Sequence, residues 1–137
     1  MEQKGQISIE FVLIIGLMLV IVLAIAGYAG YANENNAIAA AAREGATNAS
    51  SNIVLLNRSM VPIKVEDISL IGSGHNLTIQ IDISGTISSS QNKTIVDSTL
   101  NSIVAQGYIR VNNTNSSNSP YADYIVAKWH NYNITLV

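Results

Sequence analysis

Residues Gly5 to Ala32 read GQISIEFVLIIGLMLVIVLAIAGYAGYA, and this stretch decides how the rest of the chain must be arranged. From Phe11 to Asn33 there is no charged residue, and from Phe11 to Ala32 the only residues outside the apolar class are three glycines. The 22 residues of that run cover about 33 Å as a helix, enough to cross a hydrocarbon core of roughly 30 Å. The stretch therefore belongs in a membrane at some stage. A carboxylate, Glu10, stands on its very edge, and Lys4-Gly5, Gln6 and Ser8 lie in front of it.

Composition bounds what surrounds this segment. With 137 residues, one small domain remains once the apolar run is set aside. Charged residues make up 12% and net charge is −2, so no basic surface recommends nucleic acid as a partner. Cysteine is absent, so disulfides cannot staple the head, which must rely on its core or on neighbouring subunits. Lys4 and the chain amine oppose Glu2 before the span, and the first charge after it is Glu34; this asymmetry favours the N-terminus on the cytoplasmic side.

Helical character extends past the apolar run. Asn33 to Asn36 is a polar interruption, but Ala37 to Glu44 has very high helix propensity and no proline precedes Pro62. One helix from about Ile7 to about Leu56 is expected, with Ile38, Ala41, Ala42, Ala49, Ile53 and Leu56 on the side that meets a head domain. The plainer alternative ends the helix at Tyr31. Beyond Arg58 the period becomes two: Ile63 to Leu70 reads as a strand, Gly72 to Asn76 as a turn, and Leu77, Ile79, Ile81 and Ile83 alternate with polar residues. Gly85 to Asn92 reads as a strand end and loop. Thr94 to Asp97 fits a shifted capping box, with Gly107 closing the helix; a strand at Asn101 to Gln106 is the alternative. Tyr108 to Val111 starts a further strand, Asn112 to Ser119 is a polar loop, and Tyr121 to Trp129 with Asn131 to Val137 forms a closing hairpin. The expected fold is α+β, a long N-terminal hydrophobic helix packed against a small, mostly antiparallel β-sheet head.

Lys4-Gly5, Gln6, Ser8, Glu10 and Phe11, in this register, resemble the class III signal peptide of archaeal type IV pilins, over about the first 20 residues. The resemblance implies cleavage between Gly5 and Gln6 by a membrane prepilin peptidase, with the apolar helix kept in the mature protein. Three parts follow: residues 1–5 as a leader, 6–57 as the long helix, and 58–137 as a β-rich head. After cleavage Glu10 lies one helical turn from the new amine of Gln6. A carboxylate among apolar helices is costly alone, by roughly 2.5 kcal/mol or more, so pairing with the Gln6 amine of its own or an adjacent subunit is its expected assembly role. The plainer alternative is an interfacial glutamate that reaches water. The resemblance further implies partners: copies of the same chain in a homopolymer, the assembly ATPase with its membrane platform, and membrane lipid in the precursor.

Ala26 and Gly30 make a small-xxx-small spacing suited to close helix packing, with Tyr28 and Tyr31 as interfacial rings. Asn48, Asn57, Asn76, Asn92, Asn112, Asn115 and Asn133 each begin an Asn-x-Ser/Thr sequon, seven where 15 Asn and 22 Ser plus Thr would give about two by chance. The excess points to a surface bearing N-linked glycans; Asn76, Asn92, Asn112 and Asn115 fall in expected loops, while the same residues also serve turns for backbone reasons. No catalytic set emerges and no cofactor is expected. His75 and His130 are distant in sequence without spaced ligand partners, Ser88 to Ser90 lacks a nucleophile pattern, and Trp129 with Tyr121, Tyr124 and Tyr132 suits a core better than a binding patch.

The expected role is a structural subunit of an extracellular filament serving surface adhesion, its precursor in the cytoplasmic membrane, and not an enzyme. Alternatives are an archaellin-like or minor pilin subunit, a secreted β-domain released after Ala24-Ile25-Ala26, or a head on an uncleaved single-span anchor.

Overall fold

In a computed structural model the described residues are 9–56, 61–112 and 123–137. The order is α1 (Ile9–Leu56), β1 (Lys64–Ser73), β2 (Asn76–Ser84), α2 (Ser89–Ala105), β3 (Ile109–Val111), β4 (Tyr124–Val126) and β5 (Asn131–Leu136). The chain divides into two compact units, Met1–Asn33 and Glu34–Val137. α1 runs through the division as one helix, so the polar tract Asn33 to Asn36 does not break it. Asparagine and glutamate lose only a few tenths of a kcal/mol against alanine in a helix, and the alanine run that follows carries them.

In the second unit α1 buries a stripe of small residues, Ala41, Ala42, Gly45, Ala46, Ala49 and Ser50, between Ile38 and Ile53. Small side chains let α2 come close. A β-carbon built on Gly45 would lie 2.7 Å from the Ser98 carbonyl oxygen and 2.7 Å from the Thr99 α-carbon. The Ser98 hydroxyl donates to the Gly45 carbonyl at 3.0 Å, an interhelical bond that needs this short separation. Leu56, expected on the stripe, is 83% exposed, and the buried stripe stops at Ile53.

α2 begins earlier than the sequence suggests. Ser88, not Thr94, is its cap: the Ser88 hydroxyl accepts from the Gln91 amide at 3.3 Å, and the Ser88 amide donates to the Gln91 side chain at 2.7 Å. This reciprocal box satisfies two of the orphan amides at the helix start. Thr94 is interior, its hydroxyl donating to the Ser90 carbonyl at 3.0 Å. The expected helix forms through Ala105 in place of the alternative strand at Asn101 to Gln106, and Gly107 follows its cap with φ 96°, a left-handed conformation that glycine adopts without steric strain.

Five strands form one sheet in the order β1-β2-β5-β4-β3. Hairpins β1–β2, β3–β4 and β4–β5 are antiparallel, whereas β5 pairs with β2 in parallel, Leu77 opposite Tyr132 and Ile79 opposite Ile134. Parallel pairing requires a long crossover, and the path from β2 through α2, β3 and β4 supplies it. Alternation sends Leu77, Ile79, Ile81, Ile125, Tyr132 and Ile134 inward, into the core shared with α1 and α2. Thr78, Gln80, Asp82, Asn131, Asn133 and Thr135 take the outward face.

Gly45→Ala separates propensity from packing. In an open helix the change adds about 1 kcal/mol of stability, but here the new methyl meets backbone atoms of α2 that cannot yield, so a net loss of about 1–2 kcal/mol is expected. Urea unfolding of the full chain in mild detergent measures it; an unchanged or raised midpoint would show that the two helices part easily.

Candidate assembly surface

The first unit has one chemical property to offer. From Ile9 to Ile25 each large apolar side chain exposes nearly half of its surface or more, Leu13 68% and Leu23 63% among them. The best 18-residue window has mean hydropathy 3.0, and none of it is buried among the described residues. Apolar residues occupy every side of this helix, with no polar stripe to face water, which is the pattern of a helix surrounded on all sides. Removing a Leu, Ile, Val or Phe side chain from water gains about 1.5–3 kcal/mol each. A surface with so many of them demands cover by lipid or by protein.

Glu10 lies in the first turn of α1 and is exposed. A carboxylate there complements the positive end of the helix dipole, worth about 0.3–1 kcal/mol, which favours its placement at the N-terminal edge over any later position. Gly5 and Gln6 lie outside the described residues. Within the apolar run, Gly16 and Gly27 have no atom within 4 Å of where a β-carbon would sit, so the backbone is open to close approach from outside.

The second unit starts with a feature that the sequence reading missed. Glu34 is 7% exposed. Its Oε1 lies 3.0 Å from His130 Nδ1 and 3.0 Å from the Tyr132 hydroxyl, while its Oε2 accepts from the Trp129 amide at 3.0 Å. The Tyr132 hydroxyl also lies 2.7 Å from Asn35 Oδ1, and its single proton serves one acceptor at a time. One carboxylate of α1 thus gathers the turn between β4 and β5 and the buried end of Tyr132. Nearby Tyr108 has its phenol pushed up from the ordinary range, first by burial and then by the Glu34 charge. The signal was present in the spacing: Glu34 falls four residues before Ile38 on the stripe that continues to Ala41, Ala42 and Gly45.

A second polar cluster ties α2 to the far edge of the sheet. Arg110 donates from Nε to Asp123 at 2.8 Å, and from its terminal nitrogens to Asp97 at 2.8 Å and Asn101 at 3.3 Å. Burial would lower the Arg110 pKa, but the Asp123 and Asp97 carboxylates outweigh it and hold the group more basic than usual. Asp97, expected to cap α2, is occupied here instead.

The remaining candidates disperse. Asn76 opens β2 and is exposed, Asn133 is exposed on β5, and Asn112 is exposed after β3. Asn92 is in α2 and half-buried, not in a loop, because the helix starts at Ser89. Asn48 is exposed on α1, and Asn57 and Asn115 lie outside the described residues. His75 and His130, distant in sequence, bring their rings to 6.4 Å, and no cluster of three or more His, Asp or Glu forms among the described residues. Of the aromatics, Tyr132 is core, Tyr124 half-buried and Trp129 38% exposed under Lys128; Tyr121 lies outside the described residues.

A model of the TadE-like protein family matches residues 5–47. The likeness supports a pilin-like protein. It takes in Gly5, Gln6, Glu10, the whole apolar run, Glu34 and Gly45, and it stops within α1. Neither a curated protein nor a solved structure matches the chain.

Glu34 should be costly to remove. Glu34→Ala takes from the Trp129 amide and His130 the carboxylate that they share, while the Tyr132 hydroxyl keeps Asn35, and a loss of about 3–5 kcal/mol is expected. Glu34→Gln keeps one acceptor oxygen and should lose less. Chemical unfolding of the full chain in detergent, followed by Trp129 fluorescence, measures both; equal, small losses would mean that water replaces the carboxylate.

Proposed function

We propose that the chain is the structural subunit of an extracellular type IV pilus-like filament, assembled through α1 and serving surface adhesion. The observation that carries this reading is a helix apolar on every side, with each large apolar side chain from Ile9 to Ile25 exposed and Glu10 at its leading edge. Similarity to TadE-like proteins over residues 5–47 supports the pilin-like part of it. The signal-peptide resemblance adds the archaeal type IV class, with trimming between Gly5 and Gln6.

In this reading the precursor sits in the cytoplasmic membrane with its N-terminus inside, residues 1–5 are removed by a prepilin peptidase, residues 6–57 become filament core and residues 58–137 form the head. An assembly ATPase and its membrane platform draw the helix out of lipid. Burial against other copies then replaces lipid tails, so the apolar surface is never returned to water. Glu10 pairs with the Gln6 amine of its own or a neighbouring copy, which offsets the penalty of about 2.5 kcal/mol or more for a carboxylate among apolar helices. The head carries N-linked glycans on its exposed sequons. The role is structural, without cofactor or catalysis.

The N-terminal residue of the mature protein tests this directly. Gln6 is expected; Gly27 would mean a released soluble domain, and Met1 an uncleaved anchor. Material sheared from the cell surface should sediment as a polymer. Glu10→Ala should remove it from that fraction while trimmed protein still accumulates in the membrane. Undiminished polymer from Glu10→Ala would eliminate the assembly role of the carboxylate.

A further inference from the structure

Four of the seven sequons have both the asparagine and the hydroxyl residue among the described residues: Asn48-Ser50, Asn76-Thr78, Asn92-Thr94 and Asn133-Thr135. The motif couples an amide with a hydroxyl two residues on and marks an acceptor on an exposed surface, where both groups can be reached from one side. Secondary structure decides that. In a strand, residues i and i+2 share one face; in a helix they do not face each other.

The two helical sites fail on this ground and on a second. Ser50 is 3% exposed and its hydroxyl already donates to the Thr47 carbonyl at 2.9 Å. Asn92 is half-buried, and the Thr94 hydroxyl donates to the Ser90 carbonyl at 3.0 Å. The two strand sites pass. Asn76 and Thr78 point outward from β2 on either side of Leu77, which is 5% exposed; Asn133 and Thr135 point outward from β5 around Ile134, which is 1% exposed. Both asparagines are exposed and both threonines half-exposed. The parallel register sets Asn76 opposite Asn131 and Thr78 opposite Asn133, so the two acceptors stand on adjacent strands, one pleat apart. The Asn76 oxygen accepts from Asn131 at 3.3 Å, which leaves that bond independent of the Asn76 nitrogen.

We propose that Asn76 and Asn133 carry N-linked saccharides side by side on the outward face of the sheet, and that Asn48 and Asn92 stay bare. In each transfer the asparagine Nδ2 forms a bond to C1 of a saccharide, and the bond from C1 to the oxygen of a lipid phosphate donor breaks. The lipid phosphate departs with the electron pair, and the amide proton passes to a base of the transferase. The inference rests on the reading that the head lies outside the cell. It then assigns the sheet face as solvent-facing, because two adjacent saccharides over β2 and β5 leave no room for a protein partner there.

Glycopeptide mass mapping of the full chain purified from the cells that make it is the test. Peptides holding Asn76 and Asn133 should each be heavier by one glycan, and peptides holding Asn48 and Asn92 should have unmodified mass. Asn76→Gln and Asn133→Gln should each remove one glycan from the intact mass and the double variant two, with unaltered circular dichroism; Asn48→Gln and Asn92→Gln should remove none. An unmodified Asn76 or Asn133, or a saccharide on Asn48 or Asn92, overturns the proposal. Sedimentation of the same sample judges the filament reading separately, so a bare polymer would sink this inference alone.

Discussion

An apolar helix segment left exposed among the described residues is the constraint on which the molecule depends. Burying a side chain of the kind found at Leu13, Val20 or Leu23 is worth about 1.5–3 kcal/mol, and the run repeats such residues on every side. That sum exceeds the 5–15 kcal/mol by which a whole domain is usually stable, so the surroundings of this helix outweigh the stability of the head. Lipid provides the cover while the chain is in a membrane. Other subunits provide it in the pilus filament that the similarity to TadE-like proteins supports.

The second unit follows a different rule. Its part of α1 has few large side chains, and the stripe from Ala41 to Ser50 gains less from hydrophobic burial per residue than from the close approach that it permits. α2 settles against Gly45, its serine hydroxyl bonds an α1 carbonyl, and the sheet closes the core with isoleucines from β2 and β5. Polar clusters then fix the edges: Glu34 gathers the β4–β5 turn, and Arg110 joins α2 to β3 and β4 through Asp97 and Asp123. A buried carboxylate is a poor source of net stability but a strict one of geometry, since each donor it holds is costly to leave unmade.

Much of this was legible in the residues. The long helix, the alternation of β2, the turn before Asn76 and the last hairpin all follow from periodicity, which is local. The helix cap at Ser88 is equally local but poorly marked: Ser88-Ser89-Ser90-Gln91 contains the capping pattern, yet no apolar residue follows until Ile95 to mark the helix that it opens. Glu34 reads as part of a polar interruption because a lone carboxylate beside asparagines looks solvated; only its phase with Ile38 and Ala42 betrays its burial. The parallel place of β5 beside β2, and with it the pairing of Asn76 and Asn133 on one face, depends on contacts more than fifty residues apart, which no short window holds. Leu56 kept the period of the buried stripe but lay past the end of what it could touch.

β5 emerges from the ribosome after the other four strands, yet it lies in the middle of the sheet between β2 and β4. Until it arrives, the β1–β2 and β3–β4 hairpins have no ladder to join them, and the Glu34 carboxylate lacks the tyrosine and histidine that shelter it. Such non-local closure is slow compared with forming a helix. The apolar segment near the N-terminus is therefore made well before the head can close, and the last strand is the keystone that completes the sheet.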